Sequence, residues 1–261
     1  MIPISYHLVR INIDKQISTK QILMDPHYWS EEFDNINADH LGVLSEGFKL
    51  VLEGHASLED IRDSIRVQLH DLDPIKFPMG QRGASVGDLA STMLQSDRTL
   101  TESHRVCSNC GYTEAKVPYH MKHILIPTNN SGTASTLTWV SDLCKSTNRI
   151  CPDCSSTMVK KIDYIESPRL LVLEYPNTNI NTSHEVRLVI DDETTVLHLR
   201  GIVYHGENHF TSRIISPEGN TWYHDGMTTR NTTVVDTHLN SSTYANLKTC
   251  QGKRLVLAIY A

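Results

Sequence analysis

Apolar and polar residues alternate along most of the second half of the chain. A two-residue period of this kind is typical of strands that place one face on a core. Clusters such as Pro217-Glu218-Gly219-Asn220 favour turns between the alternating segments. These segments cover residues 170–175, 186–190, 196–204, 211–215 and 255–260. The pattern therefore predicts an antiparallel sheet in the C-terminal part of the chain.

Before residue 100, apolar residues recur at helical spacing instead. Ser57 and Asp60 resemble a capping box in which Asp replaces the usual Glu. The apolar stripe that follows consists of Leu58, Ile61, Ile65 and Leu69. Similar spacing over residues 41–52 and 85–93 predicts two further helices. We therefore expect residues 1–100 to be mainly helical.

Composition and charge narrow the class of protein. A chain of 261 residues with 39% hydrophobic residues has enough apolar material for a large core. No long apolar block follows the N-terminus, so we expect no signal peptide, no membrane-spanning helix and a cytoplasmic or nuclear location. The net charge of −6 argues against a general affinity for nucleic acid, because phosphate binding depends on clustered Lys and Arg. Neither membrane nor nucleic acid is an expected partner, and the sequence sets no oligomeric state.

Two Cys-x-x-Cys pairs carry the most specific chemical signal. Cys107 and Cys110 form the first pair, and Cys151 and Cys154 form the second. Each pair presents two thiolates across a tight turn, and together they supply the four sulfurs of a tetrahedral zinc site. Gly111 follows the first pair where such a turn often needs a positive φ. We predict one structural zinc, the alternative being unligated thiols or a redox pair.

A histidine and an aspartate fall in a strand-turn-strand pattern over residues 199–226. The turns in this pattern bring His209 close to Asp225. A carboxylate that accepts a hydrogen bond from one imidazole nitrogen leaves the other nitrogen to act as a base. Taken alone, the pattern favours a structural histidine, because in a chain with 14 histidines one that lies near an Asp is usually structural.

Residues 199–226 resemble the His box of the ubiquitin-specific proteases. His209 matches the catalytic His of the family pattern, and Phe210 matches the Tyr next to it. Trp222 matches the family's Trp, and Asp225 matches its triad Asp or Asn. Segments 168–174 and 255–260 resemble strands that accompany this box, and segment 80–85 resembles its Gln-Gln-Asp-Ala box more loosely.

The resemblance implies an α+β fold with a papain-like cysteine protease architecture. It divides the chain into a helical thumb-like part at 1–100, zinc-ribbon fingers at 101–165 that contain both Cys pairs, and a β-rich palm-like part at 166–261. It also implies ubiquitin, or a ubiquitin-conjugated protein, as the partner. The catalytic residues that it assigns are His209 and Asp225.

The sequence departs from the family pattern at the nucleophile. Asn208 and His224 replace a Gly and an aromatic residue of the family's His box, and neither change removes the imidazole or the carboxylate. The family nucleophile is a Cys in an Asn-x-x-Cys-Tyr box, and residues 1–106 contain no cysteine. Ser5 lies in about the right region, but a serine hydroxyl is a much weaker nucleophile. Cys144 and Cys250, outside the two pairs, are expected to be ordinary thiols.

Three functions follow from these observations. The first is a ubiquitin-specific-protease-like domain that binds ubiquitin or a ubiquitin-like protein and is inactive because it lacks the nucleophile. The second is an active cysteine-type deubiquitinase whose Cys box lies upstream of Met1. The third, from a different class, is a zinc-ribbon module that binds nucleic acid, which the negative charge disfavours.

Overall fold

In the computed structural model, β-strands make up most of the regular secondary structure among the described residues. The structure describes residues 46–261 apart from 48, 52, 81–82, 96–98, 120–122, 127–134, 142, 169, 177–179, 230–231 and 240–246. The helices are α1 (Leu58–Leu72), α2 (Val86–Met93) and α3 (Thr136–Ser141). The strands are β1 (Thr101–Cys107), β2 (Val117–Tyr119), β3 (His123–Leu125), β4 (Cys144–Ile150), β5 (Thr157–Tyr164), β6 (Leu171–Glu174), β7 (Glu185–Ile190), β8 (Glu193–Gly206), β9 (His209–Ile215), β10 (Asn220–His224), β11 (Val234–His238), β12 (Thr249–Cys250) and β13 (Lys253–Tyr260). Within these described ranges, no helix has the length and apolar character needed to cross a membrane.

Helix α1 begins where the capping pattern predicts. The Asp60 backbone N–H donates to the Ser57 hydroxyl over 3.2 Å, and the Ser57 N–H donates to the Asp60 carboxylate over 2.8 Å. Asp therefore serves in this box as Glu usually does, because its carboxylate reaches the same backbone donor. The predicted helix at 85–93 is observed as α2, with Ser85 as its N-cap.

The other helical prediction is only partly within the described residues. Residues 46–47 and 49–51 are helical, and Gly47 in this segment lies against α1. A Cβ at Gly47 would stand 2.5 Å from Cδ1 of Ile61, so glycine is needed there for close helix contact. Residues 1–45 lie outside the described part of the chain. The observed fold is mostly β with few helices, and the predicted helical character of 1–45 stays a prediction.

Two sheets organise the strands. A four-stranded antiparallel sheet has the order β2-β1-β5-β4, and a nine-stranded sheet has the order β11-β10-β9-β8-β13-β6-β3, with β12 on β13 and β7 on β8. The predicted antiparallel pairing is confirmed for most of the large sheet. The exception is β3, which pairs in parallel with β6. The alternating pattern did not predict β3, because three residues are too few to show a period.

Strand β13 lies inside the large sheet with both faces buried. Leu257 and Ile259 pack into an apolar cluster with α1 and α2. Ala258 and Tyr260 point to the opposite face and pack into the larger cluster there. All four side chains are fully buried. The sheet therefore has a core on each face, and β13 joins them.

We expect Leu257→Ala to lower the free energy of unfolding by about 2–5 kcal/mol, because it leaves a cavity in a fully buried site. Val189→Ala is the matched control, since Val189 is 63% exposed on β7 and its truncation is expected to change stability by about 0.5 kcal/mol or less. Urea unfolding followed by circular dichroism measures both. Equal losses in the two variants would contradict the burial pattern of β13.

Candidate functional site

The four cysteines of the two pairs converge at one end of the four-stranded sheet. Cys107 ends β1, and Cys151 follows directly after β4. The Sγ atoms of Cys107 and Cys154 are 3.4 Å apart, those of Cys110 and Cys151 are 3.5 Å apart, and all four lie within 4.8 Å of one another. A tetrahedral zinc with Zn–S bonds of about 2.3 Å places its sulfurs about 3.8 Å apart. The cluster therefore fits one zinc ion.

The two turns that carry these cysteines repeat the same backbone hydrogen bonds. The Cys107 N–H donates to the Tyr112 carbonyl and the Cys151 N–H donates to the Ser156 carbonyl, each over 2.8 Å. The residue after each pair has a positive φ, 78° at Gly111 and 60° at Ser155. The first value confirms the predicted role of glycine. The second shows that a serine adopts the same left-handed conformation in the matching turn.

The core beside the cysteines is small. Its buried members are Cys107, Cys151 and Met158, with Tyr112 packed against them. Hydrogen bonds from the side chains of Ser156 and Asn109 lower the pKa of the Cys154 thiol to about 5, which favours the thiolate that a metal needs. Four protein ligands leave no position for water, so a zinc held here would stabilise the fold rather than take part in catalysis.

We expect the purified chain to contain about one zinc per molecule and to lose thermal stability when a strong chelator removes it. Cys151→Ser is expected to lower the melting temperature to that of the chelated protein. Cys250→Ser is the matched control, because Cys250 is buried outside the cluster. Elemental analysis and differential scanning fluorimetry measure these effects, and zinc-free protein prepared with metal present would contradict the assignment.

A tight turn places His209 at the start of β9. The turn residues Glu207 and Asn208 have φ values of 54° and 58°, as in a two-residue hairpin that joins β8 to β9. The left-handed conformation explains why the family pattern has Gly at this position. Asn is the ordinary residue that tolerates this conformation best, so Asn208 preserves the turn.

His209 and Asp225 are in contact, because β9 and β10 are neighbouring strands. Nε2 of His209 is 2.7 Å from Oδ1 of Asp225, and the Met227 backbone N–H donates to the same oxygen over 2.8 Å. Burial alone raises the pKa of Asp225, but the hydrogen bonds from His209 and Met227 outweigh it and lower the pKa to about 2. The carboxylate accepts from Nε2–H, which leaves Nδ1 of His209 to accept a proton.

Residues around the pair hold Asp225 in place. The Tyr223 hydroxyl lies 2.9 Å from Oε1 of Gln251 and 3.4 Å from Oδ2 of Asp225. His224, which departs from the family pattern, is buried, and its Nδ1 lies 3.0 Å from the Thr232 carbonyl oxygen. The sequence pattern did not reveal Gln251, because it lies in the β12–β13 turn and meets Tyr223 only in the folded sheet.

A cleft of about 600 Å³ lies between the large sheet and the start of α2, on the sheet face that carries Phe210. Asn208 and Phe210, the two neighbours of His209 in the chain, line this cleft. The ring of His209 is turned towards Asp225, and its side chain is 25% exposed. Ser85, the N-cap of α2, lines the opposite wall. Adjacent residues of a strand project to opposite faces, so the His209 side chain does not line the cleft.

The described residues offer no thiol suited to attack from this position. Cys107, Cys110, Cys151 and Cys154 form the metal cluster. Cys250 is buried, and burial raises the pKa of its thiol, so it stays protonated. Ser5 and the side chain of Cys144 lie outside the described part of the structure. The catalytic roles of His209 and Asp225 therefore remain a prediction, whereas their contact is observed.

Comparison with known proteins gives a likeness of fold. No family model matches the sequence, and no curated protein matches it. Among solved structures, the SAGA Ubp8/Sgf11/Sus1/Sgf73 DUB module bound to ubiquitin aldehyde aligns at a TM-score of 0.53 and 13% identity, over 95% of this chain and 67% of that chain. A SAGA DUB module with a substituted Ubp8 and a shortened Sgf11 aligns at a TM-score of 0.50 and 11% identity, over 99% and 66%.

This likeness concerns the fold alone. The chain spans about two thirds of the length of the solved chains that it matches. The fold is therefore similar to that of a deubiquitinase module, and the chain has a four-cysteine cluster compatible with one zinc. The predicted boundaries at 100/101 and 165/166 stay predictions.

We expect Asp225→Asn to destabilise the protein at pH 7 by about 1–3 kcal/mol, because the amide oxygen of Asn accepts only neutral hydrogen bonds where the buried carboxylate accepted charge-assisted ones. The depressed pKa means that the carboxylate's contribution is complete above the unfolded-state value of about 3.9 and is lost as the pH falls towards 2. The stability difference between wild type and variant should therefore shrink between pH 4 and pH 2.

Urea unfolding at pH 7, 5, 4 and 3 measures this difference, and comparison at each pH cancels effects common to both proteins. Asp192→Asn, at an exposed hairpin position with a positive φ that Asn tolerates, is the matched control. A pH-independent difference for Asp225→Asn would show that the carboxylate is not stabilised as described.

Proposed function

We propose that this chain is a ubiquitin-specific-protease-like domain that binds ubiquitin or a ubiquitin-like protein without cleaving it. The observation that carries the proposal is the His209–Asp225 contact of 2.7 Å on the large sheet. In the resemblance described above, these two residues are the family's base and its orienting carboxylate. The contact between His209 and Asp225 therefore supports the resemblance to the family by its geometry, in addition to the sequence pattern.

The arrangement of the two sheets supports a protein partner. The four-stranded sheet carries the cysteine cluster at its end, and the large sheet carries the cleft and the His209–Asp225 pair. One of the solved modules with a similar fold is bound to ubiquitin aldehyde. A partner held by both sheets would present its C-terminal end to the cleft, as the family resemblance implies.

The absence of a cysteine from residues 1–106 argues against cleavage. Isopeptide cleavage in this family is an acyl transfer in which a thiolate attacks the carbonyl carbon at the ubiquitin C-terminus. His209 would take the thiol proton and return it to the departing lysine amine, while Asp225 holds the imidazole. Without the thiol no acyl-enzyme forms, and the remaining groups only bind.

One observation favours a second candidate, the active deubiquitinase. Nδ1 of His209 is oriented for proton transfer, since Nε2 is bound to Asp225. A thiol delivered to Nδ1 by a segment outside this sequence would complete the triad. The two candidate functions differ in whether this chain forms a covalent intermediate with ubiquitin.

We expect the chain to bind fluorescently labelled ubiquitin weakly and to form no covalent adduct with ubiquitin that carries a C-terminal thiol-reactive group. Fluorescence polarisation measures the binding, and intact mass spectrometry measures the adduct. The missing nucleophile is the physical reason for the second result. Lack of any ubiquitin binding would contradict the proposed function.

His209→Ala and His184→Ala form the matched pair of variants, because His184 is an exposed histidine whose backbone pairs with Leu199 in the middle of β8. An adduct on a cysteine outside the metal cluster that disappears in His209→Ala, but not in His184→Ala, would support the active enzyme instead.

A further inference from the structure

We propose that hydroperoxides oxidise the four-cysteine cluster in a defined order, and that each disulfide formed joins the first Cys-x-x-Cys turn to the second. The partners are Cys110 with Cys151 and Cys107 with Cys154. A disulfide sulfur is no longer the thiolate that zinc binds, so oxidation also releases the metal. This proposal concerns the four-stranded sheet and does not depend on what the domain binds.

Two close sulfur contacts set the pairing. Sγ of Cys107 lies 3.4 Å from Sγ of Cys154, and Sγ of Cys110 lies 3.5 Å from Sγ of Cys151. Each contact therefore joins a cysteine of the first turn to a cysteine of the second. An S–S bond is about 2.05 Å long, so each pair has to close by about 1.4 Å, a distance within the range of side-chain rotation.

Each contact joins an accessible sulfur to a buried one. Cys110 is exposed, and its partner Cys151 is buried. Cys154 is partly exposed, and its partner Cys107 is buried. A peroxide reaches an accessible thiolate first, and a neighbouring thiolate then resolves the oxidised sulfur. Each contact thus supplies a reacting and a resolving cysteine, and Cys110 reacts before Cys154 because it is the more exposed.

Two thiolates and one hydroperoxide account for each disulfide. The Cys110 thiolate attacks a peroxide oxygen, the O–O bond breaks, and the departing oxygen takes up a proton to become water or an alcohol. The Cys110 sulfur is then a sulfenic acid. The Cys151 thiolate attacks this sulfur, the S–O bond breaks, and the hydroxide leaves as water with a second proton. The two sulfurs lose two electrons in total, and these electrons reduce the peroxide.

Sequence separation also favours links between the turns over links within one turn. Cys110 and Cys151 are 41 residues apart, and Cys107 and Cys154 are 47 residues apart. A disulfide stabilises a fold by constraining the unfolded chain, and this effect grows with the length of the loop that it closes. A disulfide within one Cys-x-x-Cys turn closes a very short loop and leaves the two turns unconnected. Thiol–disulfide exchange therefore leads to the links between the turns.

These disulfides would replace the metal as the connection between the two turns. The core beside the cluster is small, with Met158 buried and Tyr112 packed against it. Links between the turns hold the end of β1 next to the end of β4, so the four-stranded sheet remains folded after the metal has left. Removal of the metal by a chelator leaves the turns unconnected instead. Reduction restores the thiolates, which makes the release of the metal reversible.

The test treats the zinc-loaded full chain with hydrogen peroxide and follows the metal and the sulfurs together. A zinc-sensitive dye measures the released metal. Peptide mapping under non-reducing conditions, after alkylation of free thiols, identifies the disulfides. We expect the Cys110–Cys151 link to form first, the Cys107–Cys154 link to follow, and zinc to be released completely. A reducing agent with added zinc is expected to restore the metal content.

The melting temperature gives a second readout, which is independent of peptide mapping. We expect the oxidised, zinc-free chain to melt about 5–15 °C above the reduced chain from which a chelator has removed the zinc, because oxidation joins its turns. Cys250→Ser is the matched control, since Cys250 is buried outside the cluster. This variant should release zinc and form the same links as the wild type.

The pairing of the cysteines decides the result. Links between the turns together with release of zinc support the proposal, whereas links within a turn overturn it. Retention of zinc, or conversion of the cysteines to sulfinic acids without disulfides, overturns the proposed release of the metal. A melting temperature no higher than that of the chelated chain overturns the structural role of the links. The proposed function is tested by ubiquitin binding to the untreated chain, so its failure is distinguishable from each of these results.

Discussion

The pairing of β8 along both of its edges is the constraint on which the rest of the large sheet depends. β8 is 14 residues long and pairs with β7 and β9 on one edge and with β13 on the other. A slip of one residue would turn every side chain to the opposite face. Leu197 and Leu199 of β8 are buried whereas His198 between them is exposed, so such a slip would expose the two leucines. The same register fixes His209 opposite Gly206 and Arg254 opposite His205.

The two sheets are stabilised by different means. The large sheet has extensive apolar clusters on both faces, so burial is sufficient to hold it. Among the side chains that the structure describes, the core cluster of the four-stranded sheet has Met158 and two cysteines as its buried members. Binding of a metal by four thiolates supplies the free energy that such a small core lacks. A zinc-free chain would thus lose order first in the four-stranded sheet, while the cleft remains.

The sequence predicted features whose causes are local. The Ser57 capping box, the paired cysteine turns and the alternating strands depend on neighbouring residues, and each is present in the structure. Features that depend on distant contacts were not predicted. Position 47 needs glycine because a Cβ there would overlap the Ile61 side chain. Gln251 contacts Tyr223 only because the folded sheet brings the β12–β13 turn close to β10. Arg254 and Glu174 belong to one cleft only because β13 and β6 are paired, which no local pattern reveals.

The proposed function requires that the cleft lined by Asn208 and Phe210 receives the C-terminal tail of a ubiquitin-type protein. The most direct test is NMR of ¹⁵N-labelled ubiquitin during titration with the zinc-loaded chain. We expect the largest chemical-shift changes in the C-terminal residues of ubiquitin. We also expect Phe210→Ala, which alters the wall of the cleft, to reduce these changes. Unchanged tail resonances, or changes confined to surfaces away from the tail, would contradict it.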